Sequence, residues 1–197
     1  MLEGFKINCY PLNRTIRVNI HLPNNYNDTG RFYPVVYFFD GQNVFNESDS
    51  YSGKSLSLES TINKLSENGK EAIYITIAAA MNPDKRLEEY KDTTLANFVV
   101  NSIHPYLASR YRFSNYIFSF GCSLSALNVL AVNESDTFKG GVLLSPEADI
   151  DMIKKLKLSN DIKKLLPSTN LVLDDNTIHD ESAWKNKVYE ALDYILL

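Results

Sequence analysis

The chain has 197 residues, 44% of them hydrophobic and 22% charged, with a formal net charge of -4. That length and balance fit one globular domain over residues 1–197 and exclude a disordered chain. Lysines and arginines are scattered, clustering only in pairs such as Lys154-Lys155 and Lys163-Lys164, so no basic stripe offers itself to nucleic acid.

The first residues, Met1 to Lys6, lack the basic start and apolar core of a secretion signal. No stretch is apolar for the roughly 20 residues that a membrane helix requires. A soluble, cytoplasmic protein with no membrane partner is expected, and a homo-oligomer is compatible with the sequence. Cys9 and Cys122 are expected as free thiols, because Cys122 sits in a tight turn. Glycosylation-type triplets start at Asn13, Asn27, Asn46 and Asn133, and in an Asn-rich chain without an export signal they carry no weight.

Residues 5–12 and 15–22 alternate apolar and polar positions around the turn Pro11-Leu12-Asn13-Arg14, which predicts an antiparallel hairpin. Residues 34–39 are continuously apolar and end at Asp40-Gly41, as in a central strand buried on both faces. A helix through Leu56, Leu58, Ile62 and Leu65 and a strand over 72–79 complete a βαβ crossover. Helical spacing follows over 95–111, where His104-Pro105 bends or restarts the helix. Then come a strand over 116–120, a helix over 124–132, a strand over 141–145, a helix over 151–166, a strand over 170–174 and a closing helix over 181–197. Such alternation implies an α/β fold with a mostly parallel central sheet and helices on both faces.

Gly121-Cys122-Ser123-Leu124-Ser125 stands between a predicted strand and a predicted helix. It follows the pattern G-x-S-x-G except that Ser125 replaces the last glycine. In such an elbow a sharp turn lifts the serine hydroxyl clear of the sheet. The competing reading is a strand end whose serine merely caps a helix. A serine nucleophile requires a base, and the chain has three histidines. His21 falls in an early strand and His104 in a helix. His179 falls in the loop between the last strand and the last helix, after the serine in chain order, which makes it the candidate base. Oxyanion donors are expected from the backbone N–H groups of Leu124 and of Gln42, the latter in the loop after the central strand. The acid that would orient the base is taken as Glu147, with Asp149 as the alternative; Asp174 and Asp175 are further candidates.

Other chemistries lack support. Gly53-Lys54-Ser55 has Ser48 where a phosphate-binding loop requires glycine. No H-E-x-x-H, C-x-x-C or acidic calcium loop occurs, so neither a metal nor a cofactor is implied.

Several segments together resemble the putative esterase family of α/β hydrolases, which includes enterochelin, feruloyl and acetylxylan esterases and the esterase D group. The run from Pro34 through Asp40-Gly41-Gln42-Asn43 to Phe45 is similar to the strand signature that ends in D-G-Q-N-x-F. Asn82 with Arg86 and Glu89-Tyr90 resembles the N-x-x-x-R-x-x-E-Y loop, and Phe120 to Ser125 the nucleophile elbow. His179-Asp180-Glu181-Ser182-Ala183-Trp184 resembles the histidine loop H-x-E-x-x-W. The resemblance implies an α/β-hydrolase fold, Ser123 as nucleophile, His179 as base, Leu124 and Gln42 as oxyanion donors, and Trp184 packed on the histidine loop. The chain departs from the family in having too few residues between Asp149 and Thr169 for the usual strand-helix unit that carries the acid. It is expected to be shortened by that unit. The implied function is hydrolysis of small-molecule carboxylic esters through an acyl-enzyme. The alternatives are a non-catalytic relative that binds without turnover, and a thioesterase or acyltransferase using the same machinery.

Overall fold

A computed structural model describes residues 1–145, 172–174 and 181–196. Among the described residues, seven strands form one sheet in the order β1-β2-β4-β3-β5-β6-β7. They are β1 (Leu2–Cys9), β2 (Arg14–His21), β3 (Tyr33–Phe39), β4 (Ile73–Ile77), β5 (Phe113–Cys122), β6 (Gly140–Leu144) and β7 (Val172–Asp174).

The hairpin expected at the N-terminus is present. β1 pairs antiparallel with β2, and β2 pairs antiparallel with β4. Its turn is a 3-10 turn over Tyr10–Leu12 followed by Asn13 in the left-handed region, so each strand lies earlier in the chain than the alternation indicates. From β4 onward the sheet is parallel through β3, β5, β6 and β7.

Alternate side chains of the inner strands enter two separate cores. Val35, Tyr37 and Phe39 of β3 pack with Ile73, Ile75 and Ile77 of β4 on one face; Val36 and Phe38 join Tyr74, Phe118 and Phe120 on the other. This two-sided burial explains why residues 34–39 form an unbroken apolar run. On the second face lie α1 (Leu58–Glu67) and the last helix, α6 (Glu181–Ile195), through Leu58, Ile62 and Leu65 and through Val188, Leu192 and Ile195.

The first face is covered by α2 (Pro83–Lys91), α5 (Ala126–Val132) and a run made of α3 (Thr94–Phe98), a π-helical turn (Val99–Ile103) and α4 (His104–Ala108). Proline explains the π turn. Pro105 cannot donate to the carbonyl one turn earlier and its ring crowds it, so the ladder widens there without the helix ending.

One segment differs in kind from its sequence reading. Residues 83–91, expected as a loop, form helix α2 because the Asn82 side chain caps it, accepting from Lys85 N at 3.0 Å, with Pro83 in the first turn. The helix expected over 151–166 lies outside the described residues. Among the described residues, no helix is long and apolar enough to cross a membrane. No disulfide joins Cys9 and Cys122.

Candidate active site

The parallel strands β3, β5 and β6 are each followed immediately by a non-glycine residue of positive φ: Asp40 at 56°, Ser123 at 54° and Ser145 at 41°. Such conformations cost about 1–3 kcal/mol each and persist where surrounding structure enforces them. Here they line up along the carboxyl edge of the sheet, where ligands of open α/β sheets bind.

The enforcement at Ser123 can be traced atom by atom. β5 runs through Cys122, a 3-10 turn covers Ser123–Ser125, and α5 starts at Ala126. The Ser125 hydroxyl accepts from Cys122 N at 2.9 Å and donates to Cys122 O at 2.7 Å, which ties the turn to the strand it leaves. Gly121 has no room for a side chain, since a Cβ there would lie 2.6 Å from Ser125 O and 2.7 Å from Ser125 C. Ser125, where the G-x-S-x-G pattern has glycine, therefore serves as an internal latch of the elbow. Leu124 is buried against the first core.

Ser123 lines a cleft of about 230 Å³ together with Phe39, Asp40, Asn43, Tyr51, Leu56, Arg86, Phe120, Cys122, Ser125 and Trp184. Its lining mixes the aromatic and aliphatic side chains of Phe39, Tyr51, Leu56, Phe120 and Trp184 with polar ones in about equal measure. Asp40 and Arg86 are its charged lining residues among the described residues, and they are paired with each other.

Asp40 is the hub of the loop after β3. Its carboxylate accepts from Arg86 Nε at 2.9 Å and Arg86 Nη2 at 2.5 Å, from the Tyr90 hydroxyl at 2.6 Å and from Gln42 Nε2 at 3.0 Å. Four donors, three on Oδ1 and one on Oδ2, offset the desolvation of a buried carboxylate, which would otherwise be costly. Burial, and then the Asp40 charge, push the Tyr90 phenol well above its ordinary pKa, so it remains a donor. The Arg86 guanidinium is likewise held charged: Asp40 outweighs the burial that opposes the charge.

The Gln42 side chain is turned inward, with Oε1 accepting from Ala79 N at 3.0 Å. Gly41 presses on β4, where a Cβ would lie 2.7 Å from Ile77 N. A second buried pair supports α2 from below. Glu89 accepts from Arg14 Nε at 2.5 Å and Arg14 Nη2 at 2.7 Å. Every polar position of the D-G-Q and N-x-x-x-R-x-x-E-Y segments thus has a structural partner.

On the other wall, the Trp184 indole donates to Ser145 Oγ at 3.0 Å, joining α6 to the end of β6. The structure brings Ser123, Asn43, Arg86 and Trp184 around one cleft and places the Gln42 turn beside Asp40. His179, Glu147, Asp149 and Asp175 lie outside the described residues. His21 packs against Phe45 and Tyr74, and His104 Nδ1 lies 3.0 Å from the Tyr37 hydroxyl, so both histidines belong to the packing. The Asp40-Arg86-Tyr90 and Arg14-Glu89 pairings had no signal in the sequence beyond the motif itself, since their partners are 46, 50 and 75 positions apart. No group of three or more His, Cys, Asp or Glu that could hold a metal occurs among the described residues.

Solved structures of the same fold include a ferulic acid esterase, at TM-score 0.68 and 15% identity, covering 100% of this chain and 98% of that one. The ferric enterobactin esterase of Salmonella typhimurium superposes at TM-score 0.74 and 15% identity, over 99% of this chain and 58% of its own. An IroE-like serine hydrolase of Shewanella oneidensis gives TM-score 0.68 and 16% identity, with 99% and 70% coverage. The chain thus spans under two thirds of the Salmonella esterase. No curated protein sequence matches it. The model of the family described as "Putative esterase" matches residues 10–192, and by that match the chain belongs to this family of ester hydrolases.

Proposed function

We propose that the protein hydrolyses small-molecule carboxylic esters with Ser123 as nucleophile and His179 as base, within one α/β-hydrolase domain over residues 1–197. The observation that carries this reading is the conformation of Ser123, held at positive φ between β5 and α5 and lining the cleft. His179 takes the proton from Ser123 Oγ as that oxygen attacks the ester carbonyl carbon, and the C=O electron pair moves onto the carbonyl oxygen. Collapse of the tetrahedral adduct breaks the bond to the alcohol oxygen, which leaves with the proton from His179. Water then attacks the acyl-enzyme, passing a proton to His179; Ser123 Oγ recovers it as the carboxylic acid departs.

The oxyanion is received by the N–H groups of Gln42 and Leu124. Each belongs to the opening turn of a short 3-10 segment, where N–H groups lack an intrahelical acceptor. Glu147 orients the His179 imidazole, with Asp149 as the alternative. In this reading the chain has dispensed with one strand-helix unit. β7 pairs directly with β6, and the segment resembling the histidine loop follows β7. In this reading the acid comes from the residues that follow β6, whose neighbour Ser145 is tied to α6 through Trp184.

Labelling with a fluorophosphonate probe followed by peptide mapping is the test. Modification at Ser123, abolished by Ser123→Ala and by His179→Ala together with turnover of nitrophenyl esters, is the expected result. A folded protein that never labels at Ser123, or a Ser123→Ala variant with full turnover, overturns the proposal. Substitution of Glu147 and of Asp149, each by its amide, then identifies the acid by which variant loses turnover.

A further inference from the structure

The geometry points to Arg86 and Tyr90 as positioning residues for the oxyanion donor: they clamp Asp40, and through it the turn that presents the Gln42 N–H. This inference rests on the ester-hydrolase reading above, which uses that N–H but says nothing of what holds it.

The turn over residues 41–43 is pinned from three directions. Beneath it, Gly41 lies so close to β4 that a Cβ would meet Thr76 Cβ at 2.8 Å and Ile77 C at 2.9 Å. To the side, the Gln42 amide is held at both ends, its nitrogen donating to Asp40 and its oxygen accepting from Ala79 N. The third constraint is Asp40 itself, at φ 56°, whose carboxylate is fixed by Arg86 through two parallel bonds and by Tyr90 through a third. The first constraint and the Ala79 bond of the second belong to the sheet core. The third comes from α2, a separate element whose own footing is the Arg14-Glu89 pair on β2.

Left to itself, Asp40 would relax from its left-handed backbone conformation, and its unpaired carboxylate would turn toward water. Either movement rotates the peptide that precedes Gln42. An oxyanion donor acts only when aimed at the position the charged oxygen will occupy, and a displacement of about 1 Å at such a site costs about 100-fold in rate. Arg86 also lines the cleft, so a role in binding substrate competes with positioning. The two roles separate kinetically. Positioning acts on kcat and leaves KM; binding of substrate in its ground state acts on KM.

The experiment uses the full chain with Tyr90→Phe, Arg86→Gln and Arg86→Lys. Rates are expressed per active site titrated with the fluorophosphonate, so that loss of folded protein does not count. Tyr90→Phe is expected to lower kcat about 10-fold and Arg86→Gln about 100-fold, with KM within about twofold, and Arg86→Lys to recover part of the loss. Affinity for an aryl trifluoromethyl ketone, which forms a tetrahedral anion on Ser123, should fall by the same factors as kcat.

Native-state hydrogen exchange supplies a readout that does not require turnover. Peptides covering residues 40–45 should exchange faster in Tyr90→Phe and Arg86→Gln, while those from β4 and β6 keep their protection. Unchanged exchange over 40–45, unchanged kcat per titrated site, or a rise in KM without loss of kcat overturns the clamp. Failure of the wild type to label at Ser123, with exchange altered as expected, strikes the ester-hydrolase reading and leaves the mechanical clamp standing.

Discussion

The Ser125 hydroxyl bonds both to the N–H of Cys122, at 2.9 Å, and to its carbonyl, at 2.7 Å, so one side chain closes the turn that carries Ser123. Glycine at position 125 would provide neither bond. Ser125→Gly should therefore destabilise the fold by about 1–2 kcal/mol, the range for losing a helix-capping hydroxyl and adding backbone freedom. Chemical denaturation measures it, and a variant as stable as the parent shows that the latch contributes nothing.

Gly121 and Gly30 make opposite forecasts for the same substitution. A Cβ on Gly121 meets three backbone atoms of Ser125 and Ala126 within 2.6–2.9 Å, whereas one on Gly30 meets nothing within 4 Å. Gly121→Ala should cost about 3 kcal/mol and suppress phosphonate labelling of Ser123. Gly30→Ala should leave stability unchanged or raise it by up to about 1 kcal/mol. Equal effects of the two changes in thermal denaturation would contradict the crowding at the elbow.

Trp184 is the one tryptophan of the chain and lines the same cleft as Ser123. Its fluorescence is thus a direct report from the site. Phosphonylation of Ser123 should shift the emission of the wild type, and the same reagent should leave the emission of Ser123→Ala unchanged. Trp184→Phe removes the hydrogen bond to Ser145 and shrinks a buried side chain, and should cost about 1–3 kcal/mol, read from the denaturation midpoint.

His21 makes stability depend on pH. Burial, and then the Met1 ammonium, lower its pKa from 6.5 to about 4, and its Nδ1 has no hydrogen-bond partner among the described residues. Between those two values the unfolded chain binds more protons than the folded one, so stability is complete above pH 6.5 and falls as the pH drops toward 4. After allowance for solvent screening of a half-buried ring, the loss is about 1–2 kcal/mol. Urea titrations at pH 7.5 and 5.0 should show that loss in the wild type and a smaller one in His21→Phe; equal losses would remove His21 as the cause.

Much of the fold was legible because strands buried on both faces must be apolar throughout. Residues 34–39 announced a central strand for that reason, and β3 lies in the middle of the sheet. The hairpin was legible from alternation. Helix α2 was not, since its sequence is polar apart from Leu87 and Tyr90, and its anchors are ion pairs rather than an apolar stripe. The elbow was legible as a pattern, while Ser125, which looked like a departure from it, turned out to be part of its construction.

Sequence alone determined the order of the described strands and, apart from α2, of the described helices, and the position of Ser123 in a strand-to-helix turn, because period and local turn chemistry act over a few residues. It also supplied the family's motifs, without a reason for their polar residues. Only the tertiary structure decided that Asp40 of one segment and Arg86 and Tyr90 of another form a single buried network, and that Trp184 meets Ser145. Those pairings join residues 39 to 50 positions apart, and nothing local records them. They exist because parallel strands deliver their carboxyl ends to one edge of the sheet, where a buried charge is tolerated only if its partners arrive from elsewhere in the chain.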